Sequence, residues 1–221
     1  LASLVWAVVF LLNAKNPTVK VRPKSFKECL SVLKTEKLTW VLSLFYALTF
    51  GGFISMSIYL PTLLNTIFGL APADAGARTA LFVIVATLVR PIGGWLSARM
   101  GGQVLLFYVF LGVAVIGWLM MLPSIVTFTI SALGCAILFG LGNGATFKLV
   151  PQYFPKQVGT VTGLVGAAGG LGGFFPPLGL GLFQELTKSY ALGFILLSVF
   201  ALLCAFVLSR TFLRLPTPVS N

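Results

Sequence analysis

Apolar residues arrive in six long blocks, over residues 39–68, 77–98, 103–122, 125–150, 158–183 and 190–209. Each holds about 20 or more predominantly apolar residues, the length a helix rising about 1.5 Å per residue needs to cross a hydrocarbon core about 30 Å thick. The segments between them carry turn chemistry: residues 71–76, 101–102, 123–124, 151–157 and 184–189 are rich in Gly, Pro, Asp, Ser and Gln. A shorter apolar run, residues 1–12, opens the chain. It lacks a basic leader and a small-residue cleavage site, so it reads as the tail of a truncated span and not as a signal peptide. The pattern predicts an all-α fold, a polytopic transmembrane helical bundle. It divides into a span tail (1–12), a basic loop (13–38), six membrane helices (39–209) and a short tail (210–221).

Charge orients these spans. Only 9% of residues are charged, against about 25% in a soluble domain, so a water-soluble fold is excluded. The net charge of +11 does not call for nucleic acid, because the cations segregate by side. Lys15, Lys20, Arg22, Lys24, Lys27, Lys34, Lys37, Arg99, Lys148, Lys156, Arg210 and Arg214 fall on one side, and Arg78 and Lys188 on the other. The positive-inside rule then places the long loop, the turn at Gly101, the turn at Pro151 and the C-terminus in the cytoplasm of a multi-pass cell-membrane protein. Within the loop, residues 25–34 have the pattern of a short amphipathic helix lying on the lipid surface.

One cation fits neither side. Arg90 lies roughly 18 Å into a span entered near Arg78, close to the middle of the bilayer. Such a residue costs about 2.5–3.5 kcal/mol even on lenient insertion scales, so it should face protein or water. Its helix face is small or polar: Ala86, Thr87, Gly93, Gly94 and Ser97. The four acids, Glu28, Glu36, Asp74 and Glu185, lie in loops or at a span end and offer no midplane partner. An anion site is therefore favoured over a structural ion pair. In the preceding span Ser43, Tyr46, Phe50, Phe53 and Ser57 share one face, with Tyr46 and Phe50 at a depth comparable to Arg90.

Glycine marks two further spans. Gly159–Gly163, Gly166–Gly170 and Gly169–Gly173 are GxxxG pairs, which let helix backbones approach closely or expose backbone to a small ligand. Pro176-Pro177 is expected to interrupt that span. The span before it carries Gly140, Gly142, Asn143 and Gly144, with Lys148 nearer the cytoplasm. With no His, no intramembrane acid, and Cys29, Cys135 and Cys204 far apart, the chain offers no metal-ligand cluster, disulfide framework or acid–base pair. No enzyme activity and no cofactor are expected.

Together these residues resemble the nitrate/nitrite porter family of the major facilitator superfamily. Gly163-Leu-Val-Gly-Ala-Ala-Gly-Gly-Leu-Gly-Gly-Phe-Phe175 is similar to the family's glycine-rich signature, and Gly140-Leu-Gly-Asn-Gly-Ala-Thr-Phe147 precedes it as expected. Leu88-Val-Arg-Pro-Ile-Gly-Gly94 resembles the segment supplying one of two substrate arginines, and Leu44-Phe-Tyr-Ala-Leu-Thr-Phe50 the helix that walls the site. The resemblance covers nearly the whole chain, as the C-terminal half of a twelve-span porter. It implies a nitrate or nitrite site lined by Arg90, Tyr46 and Phe50, with Asn143, Gly166, Gly169 and Gly170 nearby. It also implies alternating access, with the missing N-terminal six-helix half as partner. Gly93 to Gly102 is similar to the superfamily's cytoplasmic gating loop, but Ala98 stands where an acid is usual. A porter for a small organic anion and a non-transporting half-size membrane protein are the alternatives.

Overall fold

The computed structural model describes residues 2–14, 36–187 and 189–212. Most of the basic loop, including residues 25–34 and Cys29, lies outside the described residues, as do Lys188 and Arg214. Every regular element among the described residues is an α-helix: α1 (Ala2–Asn13), α2 (Lys37–Phe68), α3 (Pro72–Met100), α4 (Gly102–Leu119), α5 (Ile125–Tyr153), α6 (Val158–Thr187) and α7 (Ala191–Phe212). The last six are long and apolar enough to cross a membrane. In α1 the described side chains are exposed.

Helix ends depart from the sequence reading in ways the local chemistry explains. Residues 72–76, expected as turn, form the first turn of α3. Pro72 sits at its start, where a missing N–H is no loss, and Asp74 faces the positive end of the helix dipole. The real reversal is residues 69–71, set by Gly69 in the left-handed region (φ 65°), whose N–H donates to the Asn65 carbonyl at 2.9 Å. α5 continues through Pro151 to Tyr153, and α4 stops at Leu119.

The Pro176-Pro177 pair does not end α6, which runs on to Thr187. A proline leaves the carbonyl four residues earlier without its helical donor. For Pro177 that carbonyl belongs to Gly173, and the Ser55 hydroxyl of α2 donates to it at 3.2 Å. The neighbouring helix thus replaces the lost bond, which is how a transmembrane helix tolerates an internal proline.

Packing follows two main pairs, α2 with α6 and α3 with α5, while α4 rests on α5 and α7. Exchanging the triplets α2–α4 and α5–α7 turns the first pair into the second, the relation expected of two three-helix repeats. Backbone approaches backbone in both pairs. A Cβ on Gly144 of α5 would strike the Arg90 carbonyl and come within 2.6 Å of the Gly94 nitrogen on α3. A Cβ on Gly51 of α2 would come within 2.5 Å of the Gly172 carbonyl carbon on α6. Only glycine permits either crossing. Fully buried Phe45, Phe82, Phe110, Phe128 and Phe139 fill the interior.

Candidate functional site

The α3–α5 crossing at Gly144 fixes the height of Arg90, because it is the Arg90 carbonyl that the glycine admits. From there the guanidinium reaches α2 and meets rings. Its Cζ lies 4.8 Å from the centroid of Phe53 and 5.4 Å from that of Phe50, both within cation–π range. The Nε of Arg90 is buried and has no hydrogen-bond partner. The described acids are remote in sequence position: Glu36 caps α2, Asp74 opens α3, and Glu185 lies in the last turn of α6.

On α2 the spacing of three and four residues brings Tyr46, Phe50 and Phe53 onto one face. Tyr46 and Phe50 stack with centroids 4.9 Å apart and planes 3° from parallel. Phe50 and Phe53 are tilted at 6.0 Å. Phe53 in turn stacks on Phe82 of α3 at 6.1 Å and 13°. At the other end Phe147 of α5 meets Tyr46 edge-on at 4.6 Å. The result is a continuous aromatic wall.

Asn143 completes the polar content. It lies one turn from Phe139, which fits against Gly52, and one turn from Phe147, which fits against Tyr46. It therefore shares the face of α5 turned to α2. Asn143 is only 2% exposed, yet both its amide oxygen and its nitrogen lack partners. A buried polar group without a partner costs about 1–3 kcal/mol, so the Asn143 amide is held at a cost on the face of α5 turned to α2.

Of the residues singled out from sequence, Arg90, Tyr46, Phe50, Asn143 and Gly169 come together. Gly169 of α6 backs directly on the Tyr46 ring, where a Cβ would lie within 2.6 Å of Cε1 and 3.0 Å of Phe50 Cδ1. Gly166 and Gly170 do not join them. Each faces open space with no atom within 4 Å of where its Cβ would be. Phe53 and Phe147 complete the wall; their helical spacing to Phe50 and Asn143 signalled them. Lys148 is exposed. Among the described residues no three His, Cys, Asp or Glu side chains gather as metal ligands would. A separate cleft of about 600 Å³ between α2, α6 and α7 is lined almost wholly by apolar groups such as Met56, Leu180 and Phe200 and offers an anion nothing.

The chain is similar in sequence and in fold to known proteins. The chain is 45% identical over 92% of its length to the nitrite extrusion protein of Bacillus subtilis, covering 51% of that protein. It is 41% identical over 83% of its length to a probable nitrate/nitrite transporter of Mycobacterium tuberculosis, covering 47% of it. The chain thus spans about half the length of the curated relatives it matches. Its fold is similar to a crystal structure of a bacterial homologue of the human lysosomal transporter Spinster, inward-facing and unoccupied. That match has a TM-score of 0.60 at 19% identity, over 99% of this chain and 58% of the other. The model of the Major Facilitator Superfamily matches residues 1–177, so this multi-pass membrane chain belongs to that superfamily.

Proposed function

We propose that this chain forms the C-terminal half of a porter for nitrate and nitrite, with Arg90 as an anion ligand. The observation that carries the reading is the Arg90 guanidinium held against the rings of Phe50 and Phe53, its Nε buried and unpartnered. Nitrate is small, planar and weakly hydrated. A guanidinium is planar, always charged and presents paired donors to two oxygens. Tyr46, Phe50 and Gly169 close one side of a small dry site, and the Asn143 amide offers a donor that no other group occupies. The names of the relatives, for nitrite extrusion and nitrate/nitrite transport, point to the same anions.

The exposed faces suit a second half as partner. α3 and α6 are the least buried of the six spans. On α6, Gly159, Gly163, Gly166 and Gly170 recur at three and four residues with open space beyond each. A GxxxG face left unfilled within the chain suits the close approach of a helix from outside it. Transport then proceeds by rocking the two halves about a site at the midplane.

Nitrate uptake by the complete porter in proteoliposomes tests the substrate. Nitrite should compete and bulkier carboxylates such as lactate and succinate should not, because the aromatic wall and Gly169 suit a small planar anion. Equal competition by carboxylates would turn the assignment to an organic-anion porter. Transport by the described half alone would contradict the need for a partner.

A further inference from the structure

Arg90 poses a problem of charge. A guanidinium near the middle of a membrane is usually held by a carboxylate, but a carboxylate would neutralise the charge the substrate needs. The nearest ring to it is not one of the two whose positions match the substrate-site motif. Phe53, 8% exposed, lies 4.8 Å from the guanidinium carbon, closer than Phe50. Phe53 is itself fixed from behind by Phe82, fully buried and nearly parallel to it at 6.1 Å. The ring has no polar atom and cannot bind nitrate by hydrogen bonding. Its face, however, carries the negative end of the aromatic quadrupole.

We propose that Phe53 is a positioning residue: its ring, with Phe82 behind it, holds the Arg90 guanidinium where a carboxylate would otherwise stand, and leaves the full positive charge for the anion. This rests on the reading of Arg90 as the anion ligand. The face attracts the cation electrostatically without accepting its N–H groups. The donors of Arg90 thus stay directed at the site while its orientation is set before substrate arrives, which reduces the ordering cost of binding.

Stepwise fluorination of the ring at position 53 separates this role from packing, because fluorine withdraws the ring's negative face with little change in shape. In the complete porter, Phe53 is replaced by mono-, di- and trifluorophenylalanine, and nitrate affinity and thermal midpoint are measured for each. Affinity should fall step by step, to a total loss of about 3- to 30-fold at trifluorophenylalanine, the range a desolvated cation–π contact supports. The thermal midpoint of the unliganded porter should fall only slightly, because the contact is one of many that hold α2 against α3. The same series at Phe82, which does not touch the guanidinium, should leave affinity unchanged. A flat or rising series at position 53, or an equal loss of affinity across the series at Phe82, overturns the proposal. Arg90→Lys in the same preparation tells the two levels apart. If that variant binds nitrate normally, the anion-ligand reading itself fails; if it loses binding while the fluorinated series is flat, only the role of Phe53 fails.

Discussion

The glycines of α5 and those on one face of α6 look alike in sequence and do opposite things. In α5, Gly140, Gly142 and Gly144 are all consumed inside the chain, against the backbone of Ala86, the side chain of Thr49 and the backbone at Arg90. In α6, Gly159, Gly163, Gly166 and Gly170 meet nothing. Interleaved with them on another face of the same helix, Gly169, Gly172 and Gly173 are filled, by Tyr46, Ala47 and Ile54. A small residue in a membrane helix therefore records that a backbone comes close, but not which one. On α5 the neighbour is α3, the helix that carries Arg90, for Gly140 and Gly144, and α2 for Gly142; the four open glycines of α6 have no such neighbour among the described residues.

Placing the same substitution at the two kinds of glycine breaks this comparison most directly. Gly144→Val forces a branched side chain into the Arg90 carbonyl on a neighbouring helix that has no room to yield. Overpacking typically costs about 1–3 kcal/mol, and a clash with backbone falls at or beyond the top of that range. The variant should lose most folded protein, read as monodisperse material recovered from detergent. Ser55→Ala is the next largest effect. It removes the donor that replaces the helical bond lost at Pro177, and it should lower stability by about 1 kcal/mol without altering substrate selectivity. Gly163→Val is the mildest for folding. The complete porter should reach the membrane with an unchanged thermal midpoint but transport more slowly, because the new side chain stands in the way of the second half. Equal stability losses at positions 144 and 163 would remove the distinction drawn here.

The membrane architecture was legible in the sequence because a span is a statement about length and polarity, and six blocks satisfy it without tertiary information. The ends were less so. Residues 72–76 contain Pro, Asp and Gly, which mark a turn or a helix start equally well, and only the packing of Ala75, 1% exposed, decides for helix. Pro176-Pro177 read as a break because the compensating donor, Ser55, lies 118 positions before the Gly173 carbonyl it satisfies. The site was legible as far as helical periodicity reaches: Tyr46, Phe50 and Phe53 share a face by spacing alone. That Phe53 is the ring nearest Arg90 depends on how α2 and α3 pack, which spacing does not encode. Gly166 and Gly170 carry the same glycine signature as Gly169, and only the rotation of α6 against Tyr46 separates them.

The central claim is that Arg90 binds the anion through the geometry of its guanidinium and not merely through its charge. Nitrate binding to Arg90→Lys in the complete porter measures that difference. Lysine keeps the charge but replaces a planar fork with a point donor. Losing one charge-assisted hydrogen bond costs about 1.5–3 kcal/mol, which corresponds to roughly 10- to 150-fold in affinity. The variant should reach the membrane at normal levels and bind nitrate more weakly by about that factor. Normal nitrate affinity in a well-expressed Arg90→Lys porter would contradict the assignment.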